Sequence, residues 1–307
     1  MSTIDMSRGT SNVALPSDVS KEIWSKAIEE SVFMRLARRI NIPGPGTTVQ
    51  TITGEPTAGW VEETNNKPVG VHTLGKKVIK PYKLAIIEPF SNEFRRDASA
   101  LYEECVKRLP LGFATKFDTT IMGTSAPGTG FDVLGGCSAV SILPDSTNNL
   151  SVYDKFLAAD AAISAAGGIM NGIALAPQGR SIVLGATDTT GRPLFTPGVQ
   201  SGTVGDILGA QVYASKNVYK AGTAATQSAA GTPAVVGIAG DFSDAVYGTV
   251  EGIQMSISDQ ATLTLSDSST LNLWQANMFA VRFEVEIAFA VFSSSEFVLL
   301  TGVVPSA

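Results

Sequence analysis

Histidine is almost missing from this chain: His72 is the only one in 307 residues. Ser-His-Asp and Cys-His nucleophiles depend on histidine, and zinc sites need it clustered with cysteine. Nothing around His72 resembles a nucleophile elbow, so it reads as an exposed loop residue. Cysteine is nearly as scarce. Cys105 and Cys137 make no disulfide framework and read as two buried free thiols in a reducing cell. Charged residues are only 16% of the chain, with a net charge of −6, where about 25% is usual for a soluble domain. The densest basic runs, Arg35-Leu36-Ala37-Arg38-Arg39 and Lys76-Lys77-Val78-Ile79-Lys80, are short. A protein that reads nucleic-acid sequence carries a broader basic surface. No apolar run reaches the roughly 18 residues of a membrane-spanning helix. Met1 to Thr10 lacks the apolar core of a signal peptide. There is no Walker loop, and Gly128-Thr129-Gly130 lacks the strand-turn-helix setting of a dinucleotide site. An ordinary hydrolase, kinase or oxidoreductase is therefore left without its residues, and the cytoplasm is the expected compartment.

Hydrophobic residues make up 44% of the sequence, and the length suits one large or two moderate domains. Residues 1–16 are polar and aperiodic, as in an arm. Pro16-Ser17-Asp18 then opens a helix. Val19, Ile23, Ala27 and Met34 stripe that helix until Pro43-Gly44-Pro45-Gly46 ends it. A strand at Thr48–Thr53 leads into about twenty polar residues, and the chain returns as a strand from Val78 to Ile87. Compact domains prefer short connections, so a long hairpin packed on a neighbouring subunit is expected. A second helix is expected from Asp97 to Met122, its stripe of Leu101, Cys105, Leu109, Phe113, Phe117 and Ile121 staying in phase across Pro110, where a bend should fall. A third is expected from Tyr153 to Ala166, stopped by Gly167-Gly168. Short apolar runs follow: Ser181–Leu184, Ile207–Ala214, Val235–Ile238, Val246–Ile257 and Ala261–Leu265. Ala221–Pro233 reads as a flexible loop. From Phe279 to Val291 the alternation is unbroken. Phe279, Val281, Phe283, Val285, Ile287, Phe289 and Val291 face one way, so a long strand is predicted. Glu296–Val304 is the final strand. The fold class is α+β.

The order of these segments resembles a known family. LPSDVSKEIWSKAIEES, PTAGWVEETNNKP, LGKKVIKPYKLAIIEPFSNEF, KFDTTIMGTSAPGTGF, GRPLF, ILGAQVYAS, GDFSDAVYG and MFAVRFEVEIAFAVF succeed one another as in the major capsid proteins of tailed bacteriophages, with the Hong Kong 97 phage-type capsid fold. The resemblance implies an N-terminal arm over residues 1–20 and an N-terminal helix over 21–46. It implies an extended loop over 47–83 and a peripheral domain with a spine helix over 84–134. An axial domain would cover 135–265, and strands returning to the peripheral domain 266–307. It implies pentamers and hexamers closing into an icosahedral shell around double-stranded DNA, assembled in the bacterial host cytoplasm and kept in the virion. It calls for no cofactor, no metal and no membrane. The expected partners are other copies of the chain, a separate scaffold protein (expected because the chain starts at Met1 with no fused segment), a portal protein and a decoration protein. An encapsulin-type compartment of the same fold and a soluble α/β enzyme are the alternative readings.

The founding member joins a loop lysine to an asparagine of another subunit with a glutamate assisting. Trp60-Val61-Glu62-Glu63 followed by Lys67-Pro68 is similar to the lysine segment. Asn277-Met278, with Glu284 seven residues on, is similar to the acceptor segment. The resemblance thus implies Lys67 as nucleophile, Asn277 as acceptor and Glu284 as general base of a single-turnover cross-link. The plainer reading gives Lys67 an ion pair between subunits and leaves Glu284 on a polar strand face with Arg282.

Overall fold

The computed structural model describes residues 31–303 except 55, 64–65, 68, 94–98, 146–149, 188–191, 196–204, 225–230 and 266–267. The arm, the opening of the first helix and part of the Ala221–Pro233 loop lie outside the described residues. In chain order the elements are α1 (Val32–Leu36), β1 (Arg38–Asn41), β2 (Thr47–Gly54), β3 (Thr73–Ile79), β4 (Tyr82–Ser91), α2 (Ser99–Ile121) and β5 (Ser138–Ser141). They continue with α3 (Val152–Ala165), β6 (Gly172–Leu175), α4 (Pro177–Leu184), β7 (Asp206–Ile207), β8 (Ala210–Ala214), β9 (Val235–Gly240) and β10 (Ala245–Thr249). Last come β11 (Gln254–Ser258), β12 (Thr262–Thr264), β13 (Thr270–Asn272), β14 (Met278–Val291) and β15 (Phe297–Thr301).

The predicted alternating strand is β14, about 46 Å long at about 3.3 Å per residue. Its odd-numbered side chains from Phe279 to Val291 are all buried. β4 pairs along one edge, from Met278↔Ser91 to Ile287↔Tyr82. The other edge is shared by β11 and β10, both antiparallel, and β1 lies parallel beyond β10. α2 continues through Pro110 and supplies Phe113, Phe117 and Ile121 to the core. Phe33, Phe117 and Phe131 gather round Phe289 with ring centroids 6.1, 6.1 and 6.3 Å away, within the range for favourable aromatic pairs.

A second sheet runs β5-β15-β9-β6-β8-β7. α3 and α4 cover one of its faces with Val152, Phe156, Ala159, Ile163 and Val183. α3 begins at a capping box in which Ser151 and Asp154 satisfy each other's backbone N–H, and it stops where Gly167 takes φ +95. The other face, with Ala174, Ile238, Phe297 and Leu299, joins the core of the first sheet.

Two expectations need correction. The first helix does not reach Pro43. It ends at Leu36, and Arg38–Asn41 is strand β1, because its backbone finds partners in Val246–Thr249. The single strand from Val78 to Ile87 is two strands, broken at Lys80-Pro81. Proline cannot donate to a ladder, so β3 stays with β2 while β4 turns to β14. The run Ser181–Leu184 is the end of α4, which opens on Pro177. The two sheets interleave along the sequence. β10 and β11 belong to the sheet of β14, whereas β15 belongs to the second sheet. The chain passes between the sheets three times, first through α2 from β4 to β5 and then through 3-10 turns at Phe242–Asp244 and Ser294–Glu296. The last two crossings are tied together by Asp241 N–H to Glu296 O at 3.1 Å and Phe292 N–H to Asp244 O at 3.1 Å.

A buried polar junction joins α1, α2 and the second sheet. Ser31, fully buried, caps α1 through Met34 N–H at 3.2 Å and donates to Asp118 Oδ1 at 2.6 Å. Asp118 Oδ2 accepts from Val32 N–H and from Asn217 Nδ2, each at 3.3 Å. Burial pushes the Asp118 carboxyl up to about 6, and the bonds from Ser31, Asn217 and the backbone only partly offset this. Its ordinary value is 3.8, so the folded chain holds the proton more tightly than the unfolded one. That stabilisation is complete below about 4 and is lost as pH rises through about 6. Comparing urea midpoints of the unassembled subunit between pH 4 and 7 should show the wild type losing stability relative to Asp118→Asn as pH rises, by up to about 3 kcal/mol. Parallel curves would contradict this.

On the even face of β14 the small residues Ala288 and Ala290 pack against Ile42, Ile79 and Val246. Gly248, opposite Ala288, lies directly under Ile42, which a side chain at 248 would overlap. Gly248→Val should therefore cost about 1–3 kcal/mol in chemical denaturation; an unchanged midpoint would show that Ile42 moves freely.

Candidate subunit interface and cross-linking residues

The β2–β3 hairpin projects from the body as a separate two-stranded sheet, in register from Thr47↔Ile79 to Ile52↔Leu74. It is fastened at its base. Ile79 and Val49 pack beside Ala288 and Ala290. Lys80 N–H donates to Gly130 O at 3.0 Å, and the Tyr82 hydroxyl to Thr129 O at 2.8 Å. Lys77 lies 2.6 Å from Asp132, whose carboxylate also accepts from Val291 N–H at 2.9 Å. The Gly128-Thr129-Gly130 stretch is thus a turn that clamps the hairpin, Gly130 taking φ +88.

Beyond that base, Val69, Val71 and Leu74 are exposed, and Trp60 makes no shielding contact at 107% exposure. Two strands alone are marginal in water, and apolar side chains gathered on a projecting element mark a surface that another protein covers. His72 is exposed as well.

The structure places the three candidate cross-link residues apart. Lys67 is exposed in the outer part of the loop. Asn277 ends the turn before β14 with φ +52, a conformation asparagine tolerates better than most residues. Asn92 Nδ2 donates to Asn277 Oδ1 at 3.0 Å, and Asn92 N–H to Asn277 O at 3.2 Å. Glu284 sits seven residues further along, about 23 Å at strand spacing, on the polar face. It approaches Arg282 at 3.4 Å and Lys83 at 3.7 Å. With Glu251 and Glu286 it lines a cleft of about 350 Å³ beside Lys83 and Gln254. Glu284 therefore cannot serve the Asn277 of its own chain.

Cys137 is partly buried and its thiol lies 3.4 Å from Ser294 O; burial pushes it up to about 11. The side chain of Cys105 lies outside the described residues. Among the described residues, no group of three or more His, Cys, Asp and Glu could hold a metal ion, and no helix is long and apolar enough to cross a membrane.

A projecting hairpin, a long helix on a long-stranded sheet and a second sheet interleaved with the first along the chain are the parts of the Hong Kong 97-type capsid fold, a shell-forming class. Comparison with known proteins agrees. Residues 11–302 match the model of the phage capsid family. The chain is 30% identical over 298 residues to the probable major capsid protein gp17 of Mycobacterium phage L5, covering 94% of this chain and 89% of that one. It is 27% identical over 308 residues to the gp17 of Mycobacterium phage D29, described in the same words, covering 94% and 90%. A solved structure from Microbacterium phage Oxtober96 superposes with a TM-score of 0.71 at 19% identity, over 89% of this chain and 91% of that one. The chain belongs to the phage capsid family, among the major capsid proteins of tailed phages. Its role is structural, as a component of the virion shell, which is built from homo-oligomeric capsomers.

Asn92 and Asp132 escaped the sequence reading, since each depends on a partner more than 150 residues away. Asp132→Ala should loosen the hairpin by about 1–2 kcal/mol. Limited proteolysis of the unassembled subunit should then cut between residues 54 and 73 several-fold faster, with little change in the global melting temperature; equal cutting rates would show that Asp132 does not hold the hairpin.

Proposed function

We propose that this chain closes as pentamers and hexamers into an icosahedral shell around double-stranded DNA, and that the finished shell is joined covalently through Lys67 of one copy and Asn277 of another. The observation that carries the reading is the hairpin, which leaves Trp60, Val69, Val71 and Leu74 in water. An element that cannot bury its own apolar side chains gains them cover when identical copies close a ring. Trp274, 74% exposed and three residues from Asn277, suits the same junction. The N-terminal arm and the extended loop would reach adjacent subunits. The second sheet, with α3 and α4, corresponds to the axial domain, and the sheet of β14 with α2 to the peripheral one.

A lysine amine attacks only after losing its proton; burial weakens its hold on that proton, and a nearby carboxylate can accept it. Glu284, supplied by a copy other than the one holding Asn277, is the base. Three residues that one chain keeps apart would meet only after assembly, so the reaction waits for the shell. A net charge of −6 fits a wall that contains DNA without gripping it. A scaffold protein, a portal protein and a decoration protein complete the expected partners, with assembly in the host cytoplasm.

Mature particles run on a boiled, reduced denaturing gel should show a ladder and lose the 32.0 kDa band, and Lys67→Arg particles should recover that band. Wild-type particles giving one clean 32.0 kDa band would sink the cross-link. Particles without nuclease-protected DNA would sink the genome-enclosing role.

A further inference from the structure

The acceptor of the proposed bond is held by contacts that the cross-link reading alone does not explain. β4 ends at Ser91, paired with Met278 at the start of β14, so Asn92 and Asn277 face each other just beyond the last ladder pair. Asn92 donates there from both backbone and side chain: the backbone N–H reaches Asn277 O at 3.2 Å, and the side-chain Nδ2 reaches Asn277 Oδ1 at 3.0 Å. The turn itself is built firmly. Asn272 Oδ1 accepts from Trp274 N–H at 3.1 Å and from Gln275 N–H at 3.2 Å, and Met278 N–H donates to Leu273 O at 2.9 Å. Asn277 remains exposed, open to an amine brought by another copy.

We propose that Asn92 is a catalytic residue of the cross-link, its side-chain amide stabilising the oxyanion that forms on Asn277 Oδ1. This rests on the reading of Lys67 and Asn277 as the joined pair. Lys67 Nζ, as the neutral amine, attacks Asn277 Cγ and gives up one of its two protons to Glu284 of another copy as the Nζ–Cγ bond forms. The C=O electron pair moves to Oδ1, where Asn92 already donates. The tetrahedral intermediate collapses by breaking the Cγ–Nδ2 bond. Nδ2 takes a proton back from Glu284 and leaves as ammonia, and the Nζ–Cγ isopeptide bond remains. Lysine amine and asparagine amide thus become one substituted amide plus ammonia, with no oxidant, metal or cofactor. A donor aimed in advance at the atom where charge develops gives roughly a 10²–10³-fold rate gain.

The test follows ladder formation over time in assembled shells of wild type, Asn92→Ala, Asn92→Asp and Asn277→Asp. Wild-type shells should cross-link, and Asn277→Asp shells should never do so. Both Asn92 variants should form shells of normal size, because the backbone clasp at residue 92 survives, yet cross-link about 10²–10³-fold more slowly. The midpoint of the Asn92→Ala pH–rate profile should stay where the wild type has it, since neither asparagine nor alanine exchanges a proton there. If Asn92→Ala fails to assemble, the isosteric Asn92→Asp carries the comparison. Wild-type rates in both assembled Asn92 variants would overturn the proposal and leave the cross-link standing. A wild-type sample that never forms a ladder would overturn both.

Discussion

The backbone pairing of β14 is what the other elements depend on. It is bonded on both edges over most of its length, to β4 on one side and to β11 and β10 on the other. Its odd face closes the main core against α2 and α1. Its even face divides by position. Near Val291 the small Ala288 and Ala290 accept the hairpin base. In the middle, Arg282, Glu284 and Glu286 keep the surface polar. At its start lies the turn that presents Asn277. A one-residue slip would exchange these faces, burying three charges and exposing seven large apolar side chains.

That dependence decides how much could be read from residues alone. β14 was legible because period two is its own signature over 14 residues. α3 was legible because Ser151, Asp154 and Gly167 mark its ends locally. β1 was not, because Arg38–Asn41 continues an apolar stripe and becomes a strand only through Val246–Thr249, more than 200 positions away. β6, four buried residues reading Gly-Ile-Ala-Leu, carries no alternation to detect. The order of segments along the chain placed Lys67, Asn277 and Glu284 by resemblance. Asn92 carried no signal, since its contact spans 185 residues.

The two sheets share a core yet serve different demands. The second sheet is closed on both faces, by α3 and α4 and by the common core. Beside the first sheet stands the separate β2–β3 hairpin, whose base is fixed through Asp132, Gly130 and Ile79 while its outer part stays in water. A monomer gains nothing from such an arrangement. Copies arranged around an axis do, because each hairpin can cover and be covered in turn.

An electron cryomicroscopy reconstruction of the purified native particle tests this most directly. The account predicts a closed shell in which the hairpin of each copy lies on a neighbour, with Trp60 buried between chains. A closed shell whose hairpins stand free of every neighbour, or a preparation containing only monomers, would contradict it.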